Sequence, residues 1–96
     1  MLHFSYSNVT LGKSKHSNQM VVKGEITNKS GRNYNSVASR IVVFIKNNIP
    51  IASTVVVVNG IGDGMTKQFE KYIEEIDYNQ VGRDISRFEI YPESAY

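Results

Sequence analysis

The stretch "VVKGEITNKSG", residues 21–31, alternates apolar and polar side chains and then passes into turn residues. Side chains of a β-strand point to opposite faces in turn, so this alternation is typical of a strand with one buried face. The face predicted to be buried consists of Met20, Val22, Gly24 and Ile26. Gly24 is expected to leave room for a large neighbour across the core. Asn28 is expected to bond the backbone of the turn where the strand ends, as a structural residue.

The same alternation recurs along the whole chain. Six strands are predicted, at residues 2–12, 18–28, 36–46, 50–58, 64–73 and 85–91. Each is rich in Val, Ile, Thr, Tyr or Phe, and turn residues separate them. Residues 59–64, "NGIGDG", are predicted to lie outside regular structure. Residues 73–84 are predicted to form an irregular connection, with a helical turn or a strand as alternatives. The spacing of strands and turns predicts an all-β sandwich or barrel.

Length and composition exclude several classes of protein. The 96 residues fit one domain, since a typical domain has about 100–150 residues, so residues 1–96 are predicted to be a single domain. The chain has no cysteine, which excludes disulfides, thiolate catalysis and cysteine metal sites. No apolar run approaches the roughly 20 residues that span a bilayer, and residues 1–20 lack the apolar core of a signal peptide. We therefore expect neither a membrane span nor a signal peptide in this chain.

Three short motifs have the spacing of a known domain family. They are "GEITN" with Gly24, Ile26 and Asn28, "IVVFI" with Ile41, Val43 and Phe44, and "IGDGMTKQFE" with Ile61, Gly64 and Phe69. Over roughly residues 4–91 the chain resembles the FxLYD domain family, a bacterial and archaeal group of immunoglobulin-like domains. Ile45 stands where that family has an aspartate, so any turn contact made by that carboxylate is missing.

This resemblance implies a fold and a setting for the protein. The fold is expected to be an immunoglobulin-like antiparallel β-sandwich of about six to seven strands. The family is defined by its structure and not by a reaction, so the resemblance implies an accessory module without catalytic residues. Such modules often belong to prokaryotic envelope or surface proteins, which implies an extracellular or cell-envelope location.

The inventory of reactive side chains predicts that the protein is not an enzyme and needs no cofactor. The only histidines are His3, near the start of the chain, and His16, in the polar loop "GKSKHSNQ". A catalytic triad or a histidine metal site needs histidine held by ordered neighbours. The acidic segment "EKYIEEIDYNQVGRD" contains carboxylates that could bind a divalent cation, but their spacing does not match a calcium-binding loop. No catalytic residue and no metal site are therefore predicted.

Positive charge is concentrated in the first half of the chain. Residues 1–50 contain seven Lys or Arg against a single acidic residue, Glu25, whereas residues 51–96 contain four basic and eight acidic residues. Four of the basic residues lie in two loops, namely Lys13, Lys15, Lys29 and Arg32. They suggest an envelope-associated module that recognises a polyanion or a cell-wall polymer, although antiparallel strands would place the two loops at opposite ends. Nucleic-acid binding is not expected, since only Tyr34 could stack on a base near these loops.

Two neighbouring segments, "SRIVVFIK" and "TVVVV", are apolar on both faces. If they form a hairpin through "NNIP", one outward face is predicted to carry Val42, Phe44, Val56 and Val58. An exposed apolar patch marks an interaction surface, unless a terminal segment or residues 73–84 cover it. The sequence therefore predicts a non-catalytic module that associates with a protein partner or with a second copy of itself. Recognition of a polyanion through the basic loops is the alternative.

Overall fold

The alternating segments form six β-strands in the computed structural model, which describes residues 3–15, 17–77 and 84–96, apart from the side chain of Glu75. The strands are β1 (Phe4–Lys13), β2 (Gln19–Asn28), β3 (Tyr34–Ile45), β4 (Ile49–Ile61), β5 (Thr66–Asp77) and β6 (Ile85–Ala95). A short 3-10 turn, Lys46–Asn48, joins β3 to β4.

The strands form two three-stranded antiparallel sheets. Sheet one has the strand order β1-β2-β5, and sheet two has the order β4-β3-β6. These are the orders of strands A, B, E and of strands C′, C, F in an immunoglobulin domain. The predicted fold class, an immunoglobulin-like antiparallel β-sandwich, is confirmed.

Both sheets contribute to a single apolar core. Its buried members are Met20, Val22, Ile26, Val37, Ile41, Val43, Val56, Val58, Ile61, Phe69, Ile73 and Ile76. The apolar face predicted for β2 is therefore the buried face. The polar Ser39 is also buried, and its Oγ lies 2.8 Å from the Tyr6 hydroxyl of the opposite sheet. Burial raises the pKa of the Tyr6 hydroxyl, and the hydrogen bond with Ser39 opposes this rise only in part.

Strand β5 continues further than its sequence suggests. It extends to Asp77, so the irregular connection predicted from residue 73 is wrong for its first part. The helical alternative is wrong there too, and the strand alternative is confirmed. The register between β2 and β5 shifts between the pairs Met20–Ile73 and Gln19–Asp77. Ile73 and Ile76 are three residues apart and would face opposite sides of a regular strand, but with this shift both face the core. Residues 78–83 of the predicted connection lie outside the described residues.

Two other strands are also longer than predicted. β4 ends at Ile61, so the first half of "NGIGDG" belongs to a strand and only the second half forms the turn. Gly60 and Gly64 have φ of 66° and 79°, a backbone conformation that glycine adopts without steric cost. β6 continues from Ile85 to Ala95 because its last part pairs with the start of β3.

Gly24 makes room for a bulge in the neighbouring strand, and not for a residue across the core as predicted. The pairs Ser7–Glu25 and Thr10–Lys23 leave two β1 residues opposite Gly24. A Cβ atom at Gly24 would lie 2.9 Å from the Cα of Val9 and 3.2 Å from Cζ of Phe69. The close approach of the β1 backbone therefore requires glycine at this position.

We expect Gly24→Ala to lower the free energy of unfolding by about 1–3 kcal/mol, since the added methyl group meets backbone that cannot rotate away. Urea denaturation followed by circular dichroism measures the change. Gly12→Ala is the matched control in β1, because no atom lies within 4 Å of a Cβ built there. Equal stability losses for both variants would contradict the close-packing explanation.

Candidate functional site

A β-bulge next to the β3–β4 turn decides which residues of β4 face outward. Next to the turn Phe44 pairs with Pro50, whereas one step further Val43 pairs with Ala52. Ile51 is therefore an extra residue in β4. Since side chains alternate between faces, one extra residue moves every later side chain of the strand to the opposite face.

The consequence is a correction to the predicted interface. Val56 and Val58 are only 6% and 7% exposed and belong to the core, opposite Ser39 and Val37. The prediction that they share an outward face with Val42 and Phe44 is therefore wrong. The outward valines of β4 are Val55 and Val57, and Val57 is 55% exposed.

Charged side chains cross the outward face of sheet two. Val42 and Phe44 point to this face, and both are half-buried. The guanidinium carbon of Arg87 lies 3.9 Å from the centroid of the Phe44 ring, so a cation covers this aromatic side chain. Arg40 pairs with Glu93 at 2.9 Å. The broad face is therefore not a bare apolar patch.

The free edge of β4 is the more open part of sheet two. β4 pairs with β3 on one side only. At its far end the Lys67 Nζ donates a hydrogen bond to the Asn59 carbonyl oxygen at 2.8 Å, so β5 protects that end. For residues 52–58, the described part of the chain provides no backbone hydrogen bond other than those to β3. Among the described residues, the alternate N–H and C=O groups that face away from β3 therefore have no backbone partner, as in an edge strand.

The composition of this edge is unusual for a strand without a second neighbour. The segment "ASTVVVV", residues 52–58, has no charged residue, no proline and no glycine. Natural edge strands are commonly protected by charges, prolines or bulges. β4 has two such protective features, Pro50 and the bulge at Ile51. Both lie at the end of the strand next to the β3–β4 turn.

The other edge strands are protected. β6 has charged residues, a proline and two register shifts against β3. β1 has its bulge, with Asn8 at a φ of 54°. β5 carries lysine and glutamate along its length. The protecting residues are Asn8, Lys13, Lys67, Glu70, Lys71, Glu74, Arg87, Glu89, Pro92 and Glu93.

The four predicted anion-binding residues do not form one site. Lys13 is the last residue of β1 and Lys15 follows it. Lys29 and Arg32 follow the end of β2, at the opposite end of the same antiparallel pair. A ten-residue strand separates the two pairs by about 30 Å.

One further basic residue, which was not predicted, lies near the first pair. Lys23 lines a surface hollow of about 280 Å³ together with Lys13 and Lys15. The alternation in β2 could have found it, since Lys23 lies on the predicted outward face. Glu70 and Tyr72 also line this hollow, and the carboxylate of Glu70 opposes anion binding.

The described residues contain no group of three or more His, Asp or Glu side chains that could hold a metal ion. His3 is exposed, and His16 lies outside the described residues. The absence of enzymatic activity and of a metal or cofactor stays a prediction. In the part of the chain that the structure describes, no helix has the length and apolar character needed to cross a bilayer.

Asn28 holds the turn at the end of β2, as predicted. It is fully buried, and its side chain makes four hydrogen bonds, to Ser30, Arg32 and Ile61. Its Nδ2 donates to the carbonyl oxygens of Arg32 and Ile61, and its Oδ1 accepts from the backbone N–H and hydroxyl of Ser30.

Comparison with known proteins supports the fold alone. No family model and no curated protein matches the chain. Among solved structures, the chain is similar to a DUF1425 family member from Shewanella sp. pv-4, with 13% sequence identity and a TM-score of 0.59. The match covers 99% of this chain and 79% of that chain. Membership of the FxLYD family stays a prediction, and what the chain shares with its structural neighbour is the antiparallel β-sandwich.

Proposed function

We propose that this chain is a non-catalytic immunoglobulin-like module that associates with other proteins by accepting an extended strand at the free edge of β4. The observation that carries the proposal is the uncharged, unprotected stretch of residues 52–58 on that edge. The exposure of Val57, at 55%, leaves an apolar side chain beside the open backbone groups.

Strand addition has a simple physical basis. Backbone hydrogen bonds to the open edge provide affinity, and every second side chain of the added strand contacts the same face. Each such hydrogen bond contributes about 0.5–1.5 kcal/mol net, so several of them are needed. On the outward face the added strand would contact Val55 and Val57, which favours an uncharged, β-branched sequence.

A peptide-display selection against the immobilised full chain tests this proposal. We expect it to enrich extended, uncharged sequences with alternating Val, Ile or Thr residues. Such peptides should bind Val57→Lys at least about tenfold more weakly, a difference of about 1.4 kcal/mol, because the lysine opposes apolar burial at the edge. Fluorescence anisotropy with labelled peptides measures the two affinities.

Tyr91→Lys is the matched control for this selection. It adds the same charge to the outward face of sheet two, at a residue that is 44% exposed but lies on β6. We expect it to bind the selected peptides like the wild type. Selected peptides that bind all three proteins equally would exclude the β4 edge as the docking site.

We also propose that the chain belongs to the FxLYD family and that it lies in the cell envelope or outside the cell. Both parts of this proposal depend on the sequence resemblance. Recognition of a polyanion has less support. Its four predicted residues are split between two ends of the sandwich, and the hollow near Lys13 and Lys15 includes the carboxylate of Glu70.

A further inference from the structure

We infer that the strand accepted by β4 is β4 of a second copy, so that two chains join their second sheets into one continuous antiparallel sheet. This inference rests on the proposed docking edge and names its partner. The two-fold axis of such a dimer lies perpendicular to the sheet, which keeps both cores on the same side. The contact is isologous, since the same edge serves both copies.

The charge pattern of β4 suits a second copy. In an antiparallel pair, like charges directly opposite each other are destabilising. No residue of β4, from Ile49 to Ile61, carries a charge, so self-pairing opposes no like charges along the strand. The ends of the strand do not oppose self-pairing either. Lys46 precedes β4, and the other end carries both Asp63 and Lys67, so Lys46 of one copy approaches an end whose two charges largely cancel.

The alternation of side chains restricts the register. For the cores to stay on one side, residues that face the same way must lie opposite each other, so odd residues pair with odd and even with even. Within the open stretch of residues 52–58, the register that opposes the most β-branched side chains pairs Val56 with Val56 of the second copy. Val55 then lies opposite Val57 of the second copy, twice by symmetry, and Thr54 lies opposite Val58. These are cross-strand pairs of β-branched residues, which stabilise antiparallel sheets.

The strength of the dimer follows from its narrow contact. One strand edge buries less surface than the roughly 1,200–2,000 Å² of a stable interface. We therefore expect a weak dimer, with a dissociation constant on the order of 100 µM.

Sedimentation velocity of the full chain, from about 1 µM to 1 mM, tests the inference across the expected dissociation constant. The wild type should shift from monomer to dimer over this range. Val57→Lys should raise the dissociation constant at least about tenfold, because each added charge faces an apolar side chain of the other copy. Tyr91→Lys should dimerise like the wild type, since β6 lies at the far edge of sheet two.

Spin labelling tests the register independently. The chain has no cysteine, so Ser53→Cys gives a single label on β4. With Val56 opposite Val56, the two labelled backbones lie about 20 Å apart along the paired strands. Pulsed electron-resonance distances in the dimer should reproduce this separation, and a clearly different distance would overturn the register.

The outcomes separate the dimer from the docking function. A wild type that stays monomeric at the highest concentration overturns the homodimer. If the display-selected peptides still distinguish wild type from Val57→Lys, the docking function stands without the homodimer. A dimer that Val57→Lys and Tyr91→Lys weaken equally overturns the assignment to β4.

Discussion

Asn28→Asp should lower the free energy of unfolding by about 3–5 kcal/mol, as expected when a buried charge is left without its partner. Asn28 is 0% exposed, and its Nδ2 donates to the carbonyl oxygens of Arg32 at 2.6 Å and Ile61 at 3.1 Å. The carboxylate of aspartate cannot donate, so it would face two carbonyl oxygens with negative charge. Urea denaturation followed by circular dichroism measures the loss.

Asn28→Ala separates the lost hydrogen bonds from the added charge. It removes four side-chain hydrogen bonds and leaves buried polar groups unpaired, at about 1–3 kcal/mol for each group that water does not reach. We expect a loss of about 2–3 kcal/mol, which exceeds the 1 kcal/mol that a single side-chain bond contributes. Asn35→Ala is the control, since Asn35 is exposed on β3.

The place of Asn28 in the fold explains the size of both effects. Its side chain joins the β2–β3 turn to the end of β4, and its backbone bonds Met65 and Gly64 before β5. Three parts of the chain therefore meet at one residue. A variant that unfolds like the wild type but no longer binds the selected peptides would contradict the structural role.

The sequence predicts those parts of the fold that depend on local alternation. In β2 polar and apolar residues alternate clearly, and the predicted faces and the structural role of Asn28 agree with the structure. The pairing of β1 with β2 and of β3 with β4 then follows from the short connections between these consecutive strands. The separation of Lys13 and Lys15 from Lys29 and Arg32 also follows from this pairing.

The outward face of β4 could not be predicted in the same way. Residues 55–58 are all valine, so no polar residue marks which face is buried. The assignment then depends on counting from the turn, and the bulge at Ile51 changes that count by one. The free edge could not be predicted either, because it depends on which strands pair across the whole chain. Similarly, Ile76 reaches the core only through the irregular register between β2 and β5.

Val56→Lys should lower the free energy of unfolding by about 3–5 kcal/mol, whereas Val57→Lys should change it by about 0.5 kcal/mol or less. Val56 is 6% exposed and faces the core beside Ser39, so a lysine there buries a charge without a partner. Val57, one residue further, is 55% exposed, and its lysine extends into water.

The comparison is a direct test of the bulge, because the two variants differ only in the face on which the lysine lies. Without the extra residue at Ile51, the faces exchange and Val57→Lys becomes the destabilising variant. Urea denaturation of both variants at a low protein concentration, where the chain is monomeric, keeps dimer formation out of the measurement. The order of the two midpoints therefore decides which valines are available to a partner strand. It also decides whether Val57→Lys is a valid probe of the β4 edge, since such a probe must leave the monomer folded.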